Sequence, residues 1–223
     1  MIFDAAVCIS AFPQRHKSID KLANNLGWDI VIIDNMIGTQ LSQEEQDKLW
    51  GKQFHLDLTP PLKRIPYQAA CSFGHLRVIR YMLEHGYDTM AIFEDDAYTF
   101  DLGCNLNTYI EIGWQDVPAD WDIVYLGTLY YSPPYDTITP RIAQCGKQAG
   151  THGYILNRKS AIKILEKFWS CFGCVNIDGA YGSMIQSKYL KSYLYTPPII
   201  GQERVCKWNT FDIRTKFLSQ HVV

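Results

Sequence analysis

The sequence predicts one α/β domain over residues 1–223, with a mostly parallel central sheet flanked by helices. Three observations carry that prediction. Short β-branched runs alternate with segments of helical spacing along the chain, no Gly/Ser tract interrupts them, and no internal repeat divides them. At roughly 100–200 residues per domain, 223 residues allow one large domain or two small ones. The unbroken alternation selects one, with no separate second domain.

The elements follow in order. Residues 5–10 form an apolar run containing Val7 and Ile9, and a turn at Pro13 follows. From His16, apolar residues recur at Ile19, Leu22 and Leu26, with Gly27 where a helix C-cap would stand. Residues 29–34 are β-branched and bounded by acids, as a buried strand would be. Ser42 and Glu45 have capping-box spacing for a short helix, and Thr59-Pro60-Pro61 marks a loop. Leu76, Ile79 and Leu83 stripe a helix over residues 71–83 that Gly86 closes, and residues 89–93 read as a second buried strand. A helix near residues 106–112 precedes a third strand over 121–127, and residues 130–140, rich in Tyr and Pro, read as a loop or hairpin. Residues 153–156 are a strand, 160–169 a helix, and 193–195 a last strand leading into Pro197-Pro198.

Composition narrows the function classes. With 47% hydrophobic and 20% charged residues, the chain is neither disordered nor collagen-like nor a coiled coil. A net charge of −2 offers no general attraction for nucleic acid or anionic lipid. No stretch approaches the ~20 apolar residues that span a bilayer, and residues 5–9 are too short for a signal sequence. The seven cysteines are odd in number and scattered, which suits reduced thiols. The expectation is a cytoplasmic protein without nucleic-acid partners or a transmembrane segment, compatible with peripheral contact at a membrane face.

The strongest chemical signal is Ile92-Phe93-Glu94-Asp95-Asp96. Three adjacent carboxylates at the end of an apolar strand repel one another unless water or a cation compensates. Ligands of open α/β folds sit at the carboxyl edge of the sheet, where a divalent cation is a natural partner. Residues at i and i+2 of an extended segment share a face, so Glu94 and Asp96 converge while Asp95 faces elsewhere. Hard oxygen ligands suit Mn²⁺ or Mg²⁺. The alternative is an acidic, solvated turn.

Gln68-Ala69-Ala70-Cys71-Ser72-Phe73-Gly74-His75 followed by a helix, and then the Phe-Glu-Asp-Asp strand end, resembles glycosyltransferase family 25. That family includes lipooligosaccharide and collagen hydroxylysine galactosyltransferases. Further similar segments occur in the same order: residues 34–38, residues 121–127, Gly150-Thr151-His152-Gly153-Tyr154, Asp178 and the run from Pro197 to Gln202. The resemblance covers about residues 5–203. It implies a GT-A fold, a UDP-sugar donor, a divalent metal and inversion at the anomeric carbon. It also implies that Glu94 and Asp96 bind metal and diphosphate, with Asp95 beside the ribose or sugar. His75 and Gln202 match family positions on the donor side, and Asp178 matches an acid after the Tyr segment. The chain departs from the family where Ser10-Ala11 replaces Asn-Leu and where the basic cluster is reduced to Arg15 and Lys17. Ala70 and Gly74 depart as well. Ser10 and Arg15 stand on the donor side, so these departures leave the sugar and nucleotide open.

Inversion needs a base to take the acceptor hydroxyl's proton, and Asp178, outside the acidic cluster at a helix start, is the first candidate. The helix N-terminus is expected to lower its pKa; the alternative is a plain N-cap. His152 is a candidate third metal ligand, or a local hydrogen-bonding residue between glycines. Cys171 and Cys174 have zinc or redox spacing without a second such pair, which favours packing thiols. Lys63-Arg64 could hold a phosphate, Tyr130, Tyr131 and Tyr135 could stack on an acceptor sugar, and residues 217–223 could pack on a neighbour. The expected function is metal-dependent transfer of a hexose such as galactose or glucose from a UDP-sugar to a glycan or protein-linked hydroxyl. The rival readings are a catalytically silent saccharide- or partner-binding domain and a Mg²⁺-dependent phosphohydrolase.

Overall fold

The computed structural model describes residues 2–35, 65–129, 136–146, 150–168 and 176–203. The readings at residues 36–64, at Tyr130, Tyr131 and Tyr135, at Cys171 and Cys174 and at 217–223 lie outside them. The described strands are β1 (Ala5–Ser10), β2 (Ile30–Asp34), β3 (Thr89–Glu94), β4 (Ala97–Thr99), β5 (Ile123–Tyr125), β6 (Asp136–Thr139), β7 (Ile142–Cys145), β8 (Gly153–Asn157), β9 (Ser192–Tyr195) and β10 (Ile200–Gln202). The helices are α1 (His16–Leu26), α2 (Ile65–Glu84), α3 (Leu106–Trp114), α4 (Arg158–Lys167) and α5 (Ile177–Gln186). None is long and apolar enough to cross a membrane.

Eight strands form one sheet in the order β2-β1-β3-β8-β5-β9-β7-β6, and β10 pairs with β4 in a small second sheet. The α/β class stands, but the sheet is mixed. Three neighbouring pairs are parallel (β1 with β2 and β3, β5 with β9), and four are antiparallel. The cause is twofold. Strand β8 enters between β3 and β5 in the opposite direction, and the β6–β7 hairpin closes the far edge. A further difference concerns β2, which is an edge strand with Val31 47% exposed rather than a buried one.

Period-two alternation builds both cores. Ala6 and Cys8 of β1 and Ala91 and Phe93 of β3 pack with Ile19, Leu22 and Leu26 of α1 and Ile110 of α3. Their neighbours Val7, Ile9, Met90 and Ile92 face the opposite layer, with Ile79 and Met82 of α2, Ile164 of α4 and Met184 of α5. Each fully buried Leu, Ile or Met side chain contributes ~1.5–3 kcal/mol. Local chemistry sets the helix ends. Asn105, Asn157 and Asn176 accept N-cap bonds from the backbone N–H of Thr108, Ser160 and Gly179. Gly27 ends α1 at φ 69°, a left-handed value glycine adopts without strain.

The reversed strand positions the site. Because β8 runs antiparallel to β3 and β5, its amino end meets their carboxyl ends and that of β1 at one edge. There β10 crosses over: the N–H groups of Ile199 and Ile200 donate to the Leu126 carbonyl at 2.8 and 3.0 Å, and Glu203 N–H donates to the Asp96 carbonyl at 2.7 Å. A Cβ on Gly127 would lie 1.8 Å from the Ile200 carbonyl oxygen, so only glycine permits this crossing. Gly127→Ala is expected to lower stability by about 3 kcal/mol, the upper end for overpacking, because a backbone carbonyl must yield. Denaturant unfolding of the variant checks this; a midpoint equal to the wild type would show that β10 is not seated there.

Candidate active site

The acidic segment is a strand end followed by a turn. Glu94 closes β3, Asp95 and Asp96 form the turn, and β4 starts at Ala97. The turn separates the carboxylates into two groups. Glu94 and Asp96 converge on Gln202 of β10, whose Nε2 donates to Glu94 Oε2 at 3.2 Å and to Asp96 Oδ1 and Oδ2 at 3.1 and 3.2 Å. Asp95 faces β1 and the turn after it, accepting from Arg15 Nη1 at 2.5 Å and Ser10 Oγ at 3.0 Å. Arg15 also lies 4.0 Å from Asp96 Oδ2 and rests over the Phe12 ring. The structure thus brings Ser10, Arg15, Asp95, Glu94, Asp96 and Gln202 together at one edge.

Glu94 has a second, inner face. Its Oε1 accepts from Thr151 Oγ1 at 2.7 Å and lies 3.2 Å from His75 Nε2. His75 is fully buried, and its Nδ1 is 2.9 Å from the Tyr154 hydroxyl, which is 3.1 Å from that of Tyr181. His75 therefore sits beneath Glu94 and orients it. Cys71 precedes it by one helical turn, and the ligand atoms of Cys71, His75 and Glu94 all lie within 4.8 Å of one another. Among the described residues, His152 does not join Glu94 and Asp96 in such a group.

The electrostatics follow from burial and neighbours. Burial pushes the Asp96 carboxyl up, the Glu94 charge pushes it further, and it reaches about 6 despite Gln202 and Arg15. Burial also pushes Glu94 up, but the hydrogen bonds from His75 and Thr151 outweigh it, leaving Glu94 below its ordinary value. Two converging carboxylate groups, one raised by burial and a like charge, make a donor set that fits a divalent cation. Gln202 would add an oxygen if its amide turned over.

Asp178 lies in the first turn of α5, where Asn176 holds the cap, so it is not the N-cap. Its Oδ2 accepts from the Gly150 N–H at 3.1 Å, and its buried Oδ1 has no hydrogen-bond partner. Its pKa is raised, contrary to the helix-terminus expectation. Burial and the Glu94 charge outweigh the bond from the Gly150 N–H and the nearby Thr151 hydroxyl. His152 is fully buried, with neither ring nitrogen in a well-formed hydrogen bond. Burial lowers its pKa, so the ring is neutral at pH 7, and it packs between Gly127 and Gly150.

Sequence reasoning passed over Thr151, Tyr154 and Tyr181. Thr151 and Tyr154 stand in the segment already singled out, and Tyr154 follows His152 at the strand period. Tyr181 carries no local signal; only the docking of α5 against β8 brings it to Tyr154.

No protein-family model and no curated protein matches this chain. Among solved structures it is similar to A197 from STIV, at 14% identity over 85% of this chain and 80% of that chain, with a TM-score of 0.46. It is also similar to a glycosyltransferase involved in the glycosylation of the major capsid of PBCV-1, at 12% identity, 97% and 88% coverage and a TM-score of 0.48. A third is the nucleoside-diphosphate-sugar pyrophosphorylase from Vibrio cholerae RC9, at 13% identity, 96% and 79% coverage and a TM-score of 0.35. These likenesses are too distant to transfer the role of any residue.

Proposed function

We propose that this chain is a cytoplasmic, metal-dependent inverting glycosyltransferase of the GT-A type, similar to family 25. It would move a hexose from a UDP-sugar to a glycan or protein-linked hydroxyl. The observation that carries the reading is the convergence of Glu94 and Asp96 on Gln202 at the carboxyl edge of the sheet. Glu94 and Asp96 would hold Mn²⁺ or Mg²⁺ against the donor diphosphate. When bound, the cation neutralises charge developing on the departing UDP. Ser10 and Arg15 fix Asp95 on the donor side, where its carboxylate can meet the ribose or sugar hydroxyls. The acceptor oxygen attacks the anomeric carbon and the bond to the diphosphate breaks with its electron pair on UDP. The acceptor's proton passes to Asp178, leaving an inverted glycoside.

Calorimetric titration with UDP, with and without Mn²⁺, tests the reading. Asp96→Ala is expected to weaken the cation-dependent binding about tenfold or more, the scale on which loss of even an outer partner weakens a metal site. Equal UDP binding in excess chelator would sink the metal assignment. One observation favours a second reading, a catalytically silent saccharide- or partner-binding domain: a neutral amide already bridges the two carboxylates. Such a domain would show no cation-dependent UDP binding at all.

A further inference from the structure

We propose that Cys71 Sγ, His75 Nε2 and Glu94 Oε1 form a second cation site, selective for a thiophilic divalent ion of the Zn²⁺ class. Helical spacing is the first support. Cys71 and His75 stand at i and i+4 of α2, one above the other on the same face, and Glu94 ends β3 beside that face. The geometry is the second. One ligand atom from each of Cys71, His75 and Glu94 lies within 4.8 Å of the other two, and His75 Nε2 to Glu94 Oε1 is 3.2 Å. Zinc bonds of ~2.1 Å to nitrogen and oxygen put tetrahedral ligands about 3.4 Å apart, so this pair is already spaced as one edge of that tetrahedron.

Donor chemistry selects the ion. One thiolate, one imidazole and one carboxylate suit Zn²⁺ or Co²⁺ and not Mg²⁺ or Mn²⁺, which take oxygen. Three protein ligands leave the fourth position to water. The surroundings supply an outer partner. With Nε2 offering its lone pair inward, Nδ1–H donates to the Tyr154 oxygen, and the Tyr154 hydroxyl donates on to Tyr181. Cys71 is not in a disulfide, and on binding its thiol proton leaves to solvent.

This site is distinct from the oxygen-rich set of the proposed transferase. It uses the Oε1 face of Glu94, whereas Gln202 and Asp96 gather at Oε2, and Asp96 is not a ligand. Glu94 bridges the two. A cation at the inner face replaces the His75–Glu94 hydrogen bond as the group that fixes the carboxylate's orientation.

Cobalt titration of the chelator-stripped full chain tests the proposal. The wild type is expected to bind Co²⁺ with a near-ultraviolet sulfur-to-cobalt charge-transfer band and intense tetrahedral visible bands, both removed by Zn²⁺. Cys71→Ser, nearly isosteric, is expected to lose the charge-transfer band and bind Zn²⁺ about tenfold or more weakly. His75→Gln is expected to lose the tetrahedral visible intensity. Asp96→Asn is expected to keep the cobalt spectrum while losing cation-dependent UDP binding, which separates this site from the transferase reading. Absence of the band in the wild type, or an unchanged band in Cys71→Ser, would overturn the proposal.

Discussion

Asp178→Asn is expected to lower the rate of UDP-sugar turnover by about 10²–10⁴-fold, the usual contribution of a positioned base. Binding of UDP with Mn²⁺ should stay near the wild-type value. Asparagine keeps the shape of the side chain and an oxygen to accept the Gly150 N–H, but it cannot take a proton. The carboxylate suits the task. Its Oδ1 is buried without a hydrogen-bond partner, and burial and the Glu94 charge hold its pKa above the usual value. A base whose pKa moves toward the working pH transfers protons more effectively than an ordinary aspartate. Only the ionised form accepts the proton, so the wild-type kcat should fall as pH drops through the raised Asp178 pKa. The variant should lose that acid limb along with its rate. A purely structural Asp178 would shift unfolding and KM without removing the limb. A kcat within tenfold of the wild type, measured as UDP release with water as acceptor, would eliminate Asp178 as the base.

The parts of the fold legible in sequence are those set by neighbours along the chain. Strand β1, helix α1 and the Gly27 cap follow from local periodicity and from a residue that tolerates positive φ. Strand direction is not local. The apolar run of β8 has the same composition whether it runs with β3 or against it, and a reversed β8 is what carries Thr151 to Glu94. Nor could the β4–β10 pair be read, since each strand has three residues and they meet from about a hundred positions apart. The acidic cluster was legible because Glu94, Asp95 and Asp96 are adjacent, and the side-chain split between them appears in the hydrogen bonds. The sign of the Asp178 shift was not legible. Helix position argued for a lower pKa, whereas burial, a property of the packed chain, raised it. Cys71 carries no signal of its own in the sequence; its place beside Glu94 depends on how α2 docks against β3.

Asp122→Ala is expected to cost about 1.5–3 kcal/mol of folding stability, because it leaves the Ser160 hydroxyl, the Lys191 N–H and the partly exposed Lys163 ammonium without their shared acceptor. At roughly 2–4 °C per kcal/mol for a chain of this size, the melting temperature should fall by about 3–12 °C. Asp122 is 3% exposed and joins three elements. Its Oδ1 accepts from Ser160 Oγ and Lys163 Nζ of α4, both at 2.8 Å, and its Oδ2 accepts from Lys163 Nζ at 3.0 Å and from the Lys191 N–H, just before β9, at 2.9 Å. Lys163 also donates to the Tyr189 carbonyl at 3.2 Å. Burial pushes the Asp122 carboxyl up, but Lys163, the Lys191 N–H and Ser160 outweigh it, and its folded pKa lies below the ordinary value. A depressed pKa fixes the sign of the pH dependence. The stability Asp122 contributes is fully present above its unfolded pKa of about 3.9 and is lost as pH falls through the lower folded value. The gap between wild type and Asp122→Ala should therefore be constant near neutrality and narrow only in acid. Asp120, two residues away, provides the control: it too is paired with a lysine, Lys191, but both side chains are about half exposed. Water screens that pair, so Asp120→Ala should melt close to the wild type. Equal losses in the two variants would place the stability in surface charge and not in the buried tie between α4, β5 and β9.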